Sequence, residues 1–458
     1  MTLLAFLLAL GILITVHEWG HYRVALACGV KVLTFSIGFG KPLLRWKGAA
    51  ARNGQHTEFV IGCIPLGGFV KMLDERESPV PADERHMAFN RKPLWARTAI
   101  VSAGPLANLL LAVVLYAATF WLGQYETQAT LSAPVAGSLA DVAGFRSGDK
   151  VVRAGTSLED LQPVSSLEGF RWWLQQQGAS RLYLEVQSPS SQSLRVLQLP
   201  EVAENDSEDT PDHAWASRGF TSAWSRAVLA DVFAGGPAAE AGLLAGDEVL
   251  RIDGRLVPDA VTLRAWVQAS GRQQTPMTQT WEIARRGEAI LQVDVVPKQV
   301  RDGDYQVGRI DAKVGEPPAQ VWVQLGGLDG LTQGIQKTGD VIRMTLDMLW
   351  RLLMGQASLD HLSGPLTMAD YAGRSASVGL GAYLAYLALV SVSLGVFNLL
   401  PLPVLDGGHL LYYLYEALTG RSPSAQWLDA LQRGGLAVLL ALMVFSLFND
   451  VVRLGWLP

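Results

Sequence analysis

The stretch Thr15-Val16-His17-Glu18-Trp19-Gly20-His21 holds residues that could do chemistry. In a helix, positions i and i+4 share a face, so His17 and His21 can offer two neutral imidazole nitrogens to one metal ion. Glu18 then sits about 100° round the axis. H-E-x-x-H is the spacing in which two histidines bind Zn2+ while the glutamate acts as general base on the attacking water. The setting is unusual, because from Met1 to Ile14 the chain is uncharged and almost wholly apolar. Burying three ionisable groups there is costly unless they satisfy one another or hold a cation. A structural histidine accounts for one such residue, and metal binding accounts for all three.

Catalytic zinc sites use three protein ligands and keep the fourth position for water, so a third donor is needed. The stretch Gly395-Val-Phe-Asn398-Leu-Leu-Pro-Leu-Pro-Val-Leu-Asp406-Gly-Gly-His409 offers two. Pro401 and Pro403 end the helix before it. Asp406 is the better candidate, since a carboxylate partly offsets the ion's charge, and His409 is the competitor. Asn398 is placed to hydrogen-bond a substrate backbone or a developing oxyanion; its bland alternative is helix packing. In Ala103-Gly-Pro-Leu-Ala-Asn108, small residues allow close helix approach, and Asn108 either bonds across the bundle or orients a ligand.

These residues need a membrane scaffold. With 458 residues, 49% of them hydrophobic, the chain is a polytopic α-helical membrane protein with soluble parts. Four apolar segments, 1–24, 98–122, 378–400 and 428–448, each approach the roughly twenty residues that cross a bilayer. The first lacks a basic flank, and His17-Glu18 falls where a signal peptide would have its core or cleavage site, so it reads as a retained span. The loop Tyr22–Arg97 carries 12 Lys+Arg against 6 Asp+Glu, whereas Gln124–Trp350 carries 20 against 29. The positive-inside tendency makes the short loop cytoplasmic and the long section extracytoplasmic, with the site near the cytoplasmic side. The net charge of -5 and the lack of a basic run exclude a nucleic-acid partner. Cys28 and Cys63 both lie outside the long section, so no disulfide framework is implied.

Within the short loop, 59–73 contains two β-prone runs about Pro65, Gly67 and Gly68, a pattern that predicts a β-hairpin. It is too apolar for a free solvated loop, which makes it a re-entrant hairpin beside the metal site. The alternative is a hairpin on a soluble subdomain. Gly67, Gly68 and Phe69 are then candidate substrate contacts. The long section has an internal repeat: Ala140–Arg153 matches Ala238–Arg251, with Gly144, Gly148, Asp149, Val151 and Arg153 recurring. Each copy predicts a short helix, a Gly-Asp turn, a strand and a second helix near Ser166–Gln177 or Pro258–Ala269. This resembles the α+β PDZ fold, and the copies are placed at 125–203 and 214–311, joined by the acidic stretch Glu201–Asp212. They either bind peptide C-termini or act as steric spacers. In 312–458, apolar residues from Ile335 to Leu352 at helical spacing predict an amphipathic helix, on the membrane surface or packed on the core.

The H-E-x-x-H span, the Gly67-Gly68 segment, Gly104-Pro-Leu-Ala-Asn108, the tandem modules, Ser363-Gly-Pro365 and Asn398-x-x-Pro-x-Pro-x-x-Asp406-Gly follow one another in the order of the site-2 protease family. The chain resembles these intramembrane zinc metalloproteases, peptidase family M50, over essentially its whole length. The resemblance implies an inner-membrane enzyme with periplasmic modules that cleaves the spans of single-span proteins. Trimmed anti-sigma factors and signal-peptide remnants are the expected partners, in envelope stress signalling. The rival is a non-catalytic membrane receptor or a metal transporter. Transport predicts ionisable residues along several spans, whereas here they gather at one depth.

Overall fold

The computed structural model describes residues 2–48, 56–189, 193–202, 213–272, 275, 277–287, 289–302, 305–355, 364–421 and 424–453. Two compact units form, one from Met1–Gln124 with Gln324–Pro458, the other from Tyr125–Val323. The acidic linker beyond Val202 and Ser363 of the Ser-Gly-Pro motif lie outside the described residues.

The first unit is built from α1 (Thr2–Ala27), α2 (Leu94–Leu122), α3 (Gly327–Leu353), α4 (Pro365–Val378), α5 (Leu380–Leu399), α6 (Asp406–Thr419) and α7 (Ala425–Arg453). Among the described residues, α1, α2 and α5 are long and apolar enough to cross a membrane, with mean hydropathies of 1.8, 2.0 and 1.9. The fourth expected span, 428–448, falls within α7. Leu13 and Ala9 of α1 pack with Tyr383 and Leu387 of α5. The α1–α2 crossing is close: a Cβ at Gly20 would lie 2.4 Å from the Ala103 carbonyl oxygen, the small-residue contact that replaces hydrophobic driving force inside a bilayer. Pro105 sits inside α2; it has no N–H for the Val101 carbonyl and so interrupts the helical ladder there.

One open reading closes and one expectation changes. Of the two readings of α3, the core-packed one holds. Val341, Ile342 and Leu349 join Ala112, Tyr116, Ala388, Val392 and Val396, and a Cβ at Gly334 would lie 2.7 Å from the Val113 carbonyl oxygen. Gly330, Gly334 and Thr338, four residues apart, form the small stripe that permits this approach. Segment 59–73 does not fold on itself as a hairpin. It belongs to β2 (Glu58–Met72), which pairs with β1 (Val32–Lys47). Phe35 stands opposite both Phe59 and Val70, Ser36 opposite Val60 and Phe69, and Ile37 opposite Ile61 and Gly68. The two runs flank a strand supplied by residues 34–37, so the turn about Pro65 and Gly67 spans that strand's width.

The second unit holds two similar modules. One four-stranded sheet runs Gln162–Pro163, Lys150–Gly155, Leu182–Gln187, Leu194–Leu199; the other runs Arg255–Leu256, Glu248–Ile252, Gln279–Ala284, Leu291–Val295. Helices Leu167–Gln176 and Ala260–Ser270 are N-capped by Ser166 and Asp259, which satisfies first-turn donors. The repeated Gly-Asp turn has a physical cause. Gly144, Gly148, Gly242 and Gly246 all take positive φ, and each Asp is buried. Asp149 accepts from the Arg146 N–H and from Arg195, and Asp247 accepts from the Leu244 N–H and from Arg285. The module boundaries shift from those expected. Trp215 and Phe220 are buried in the first core with Ala214 and Ala223 packed on it, so residues 214–223 close the first module. Strand Ala312–Val314 pairs with Leu229–Val232, so the second module runs past 311. Both closing segments lie outside the repeated motif, which is why the repeat did not mark them.

Burial alone would raise the Asp247 carboxyl, but the Arg285 hydrogen bonds, the Leu244 N–H and the Arg285 charge outweigh it and hold the group below its ordinary value. The stabilisation is therefore present above the unfolded-state value near ~3.9 and is lost as pH falls through the lower folded value. Asp247→Asn should cost about 1.5–3 kcal/mol at neutral pH by replacing the charged acceptor of Arg285 and the Leu244 N–H with a neutral amide and should flatten the acid limb. Urea unfolding of the full chain followed by tryptophan fluorescence at pH 7 and at about pH 3, below the unfolded-state value, checks this; equal pH sensitivity in both proteins would refute it.

Candidate metal centre

Three donor atoms converge from two helices. His17 and His21 come from the same face of α1, and Asp406 is the first residue of α6. The two Nε2 atoms are 3.2 Å apart, and Asp406 Oδ2 lies 3.2 Å from His17 Nε2 and 3.5 Å from His21 Nε2. Donors at about 2.0–2.1 Å around a tetrahedral ion stand about 3.3–3.4 Å apart, so these three atoms form one face of a zinc-sized tetrahedron. The His21 ring is oriented for it, because its Nδ1 is 2.8 Å from the Ile100 carbonyl oxygen. Nδ1–H donates there and leaves the Nε2 lone pair facing inward. Among the described residues this is the one group with metal-ligand geometry; His409, one turn further along α6, is outside it.

The turn before α6 holds Asp406 in place. A Cβ at Gly407 would lie 2.1 Å from the Leu400 carbonyl oxygen and one at Gly408 2.3 Å from that of Leu402, so only glycine lets the first turn of α6 seat so tightly. Beside two neutral imidazoles, Asp406 brings the one negative charge that partly offsets the charge of a bound ion. Asp406 is thus the anionic partner that a cation site requires.

A cavity of about 1110 Å³ opens onto these groups, lined by His17, Glu18, His21, Gly68, Val70, Asn398, Asp406 and His409, and also by Asp74, Arg76, Arg97 and Glu416. Of the candidate substrate contacts, Gly68 and Asn398 are in its wall, whereas Gly67, Phe69 and Asn108 are not. Gly67 makes room for Phe39, whose ring a Cβ would meet at 2.6 Å; Phe69 stacks on that same Phe39 ring, centroids 6.1 Å apart. Asn108 is fully buried, with Nδ2 3.2 Å from His17 Nδ1, so it stands behind a ligand candidate rather than before a substrate. Gly68 touches the base candidate, because a Cβ there would lie 2.8 Å from Glu18 Cγ.

Some supporting residues escaped the sequence reading. Gly104 leaves space for His21, Ile100 orients it, and Arg97 clasps Glu416 at 2.6 Å, tying α2 to the helix that carries Asp406. The four-residue spacing of Gly104 and Asn108, equal to that of His21 and His17, was the available signal.

The model of peptidase family M50 matches residues 5–442. A Ralstonia nicotianae protein named as a candidate zinc metalloprotease is 37% identical over 467 residues, covering 99% of each chain. The regulator of sigma-E protease RseP of Escherichia coli is 36% identical, covering 99% of this chain and 98% of its own. A Haemophilus influenzae regulator of sigma E protease is 33% identical over 98% of both. The chain belongs to peptidase family M50: it is a membrane zinc metalloprotease.

Gly104→Ala would place a methyl carbon 2.2 Å from His21 Nε2. It should weaken zinc binding by about tenfold or more through displacement of the ring, measured by chelator competition. Gly434→Ala, with nothing within 4 Å, is the matched control and should bind zinc normally. Equal zinc affinity in the two variants would count against His21 as a tightly held donor.

Proposed function

We propose that this zinc metalloprotease is an inner-membrane endopeptidase cutting the spans of single-span membrane proteins, with trimmed anti-sigma factors and signal-peptide remnants as its substrates. The observation that carries the proposal is the placement of Glu18 and the three donor atoms in one cavity whose wall also includes Gly68, Val70, Lys71 and Met72 of β2. His17, His21 and Asp406 hold the metal, which supplies Lewis acidity to the scissile carbonyl and to water. Glu18 takes the proton of the attacking water and passes it to the leaving nitrogen. Asn398 offers its amide to the substrate backbone or the developing oxyanion.

A span presents its carbonyls bonded to amides four residues on, and must unwind before attack. The Gly68–Met72 segment runs beside Glu18, and an unwound stretch pairs with it by strand addition. The exposed apolar side chains of Phe39, Leu43, Leu44, Trp46 and Ile64 on the same pair of strands support immersion of this sheet at membrane depth. In the proposed topology α7 is a fourth span, both termini and the two PDZ-like modules are periplasmic, and the site lies near the cytoplasmic side. The regulator of sigma-E protease relatives support the stress-signalling assignment.

Glu18→Gln is expected to abolish cleavage of a model single-span substrate while zinc content stays near parental. His17→Ala, His21→Ala and Asp406→Asn lose zinc as well as turnover. Zinc loss equal in all four variants would remove Glu18 from the role of base. Val70→Pro deletes a backbone donor in the cavity-lining strand and should cut turnover severalfold with zinc unchanged; parental cleavage at equal protein level would end the strand-addition model.

A further inference from the structure

We infer that Asn108 is a positioning residue for His17, accepting the Nδ1 proton of the metal-loaded ring through its Oδ1. This rests on the reading of His17 as a zinc ligand. The side chain of Asn108 is completely buried, and its backbone is fixed from the opposite side, because the Ser391 hydroxyl donates to the Asn108 carbonyl oxygen at 2.7 Å. From that fixed base the amide reaches His17 Nδ1, 3.2 Å from Nδ2, while Oδ1 is buried without a hydrogen-bond partner.

The His17 Nε2 faces Asp406 and His21, so a metal there takes the Nε2 lone pair and the ring's remaining proton must sit on Nδ1. With Nδ2 toward it, two donors would meet head to head. Turning the amide about Cβ–Cγ exchanges oxygen and nitrogen at nearly unchanged shape and gives the imidazole its acceptor. The exchange leaves the amide N–H2 where the unpartnered oxygen stood, a smaller loss than a donor clash against a metal-polarised ring, whose N–H is made a stronger hydrogen-bond donor by the ion's charge. Each histidine then has a backing acceptor on α2: the Ile100 carbonyl for His21 and the Asn108 amide for His17.

The test uses the full-length protein in detergent, with zinc affinity read by chelator competition and ligand geometry by the absorption spectrum of the Co2+-loaded form. Asn108→Leu, which keeps the branching and heavy-atom number and removes the acceptor, should weaken zinc about 10–100-fold and alter the Co2+ spectrum. Asn108→Asp, an acceptor only, should hold zinc at least as tightly as the parent. Zinc affinity of Asn108→Leu within twofold of parental overturns the inference, as does a tenfold loss in Asn108→Asp, which would make Asn108 a donor. If the leucine variant does not fold, the aspartate variant decides alone by the same criterion. His17→Ala separates the two claims: retained zinc there defeats the ligand assignment itself, whereas lost zinc with indifferent Asn108 variants defeats only the positioning role.

Discussion

The structure depends on how two imidazoles and two carboxylates are kept inside an apolar bundle. An isolated charge there costs far more than a helix contact returns, so every donor must be faced by something of opposite character. The α1–α2 crossing supplies this. The helices run so that His21 lies on Gly104 and His17 on Asn108, two four-residue steps matched one against the other. Where α1 needs space, α2 has glycine; where α1 needs a polar partner, α2 has an amide. Gly20 of α1 and Ala103 of α2 bring the backbones close enough for the Ile100 carbonyl to reach His21. Pro105 breaks the α2 ladder within a few residues of that carbonyl.

The third donor comes from a different kind of element. Asp406 opens α6, where the helix dipole favours a negative charge, after a Pro-rich turn that stops the preceding span. A long apolar helix carries ligands well only on one stripe. A tight turn ending in a glycine-packed helix start can aim one carboxylate across the bundle. Asn398, at the end of the span before that turn, enters the same cavity wall, so the amide and the carboxylate are carried on either side of one rigid reversal.

How much of this was legible in the sequence follows the range of the interactions. The pairing of His17 with His21 is local, set by 3.6 residues per turn, and the Gly-Asp turns are equally local, so both could be read. Of the first and second helices of each module, three start at side-chain caps, Ser138, Ser166 and Asp259, and the fourth starts on Pro237 after Gly236, and they too were visible. Partner choice across the chain was not. Segment 59–73 has the turn residues of a hairpin, but its actual neighbours are residues 34–37, and nothing in period-two alternation says which strand lies between two others. The helix α3 was traced by its large residues, which marks an amphipathic face. The small stripe Gly330, Gly334 and Thr338 decides what that face touches, and hydrophobic periodicity gives glycine no weight. The module ends were hidden for a related reason: the closing segments 214–223 and 312–314 complete their cores through strand pairing and burial, not through residues that repeat.

The cavity joins two demands that pull in opposite directions. Hydrolysis needs water, and a substrate span is stable only without it. On the proposed reading the wall separates the demands along its length. One part of the lining is charged, with the ion pairs Arg76–Asp74 and Arg97–Glu416, and charged groups hold water. Another part is apolar, with Gly68, Val70, Ile100 and Val101 in the same lining as the donor atoms. A span that unwinds at this boundary loses its own amide bonds over a few residues. The Gly68–Met72 segment offers backbone groups at the same place, so the unwound stretch exchanges one set of hydrogen bonds for another instead of leaving them unmade. Unpaired backbone groups at membrane depth are what an opened helix can least tolerate. On that reading, a strand beside Glu18 lowers the cost of exposing the scissile carbonyl at the point where the proposed base and water can reach it.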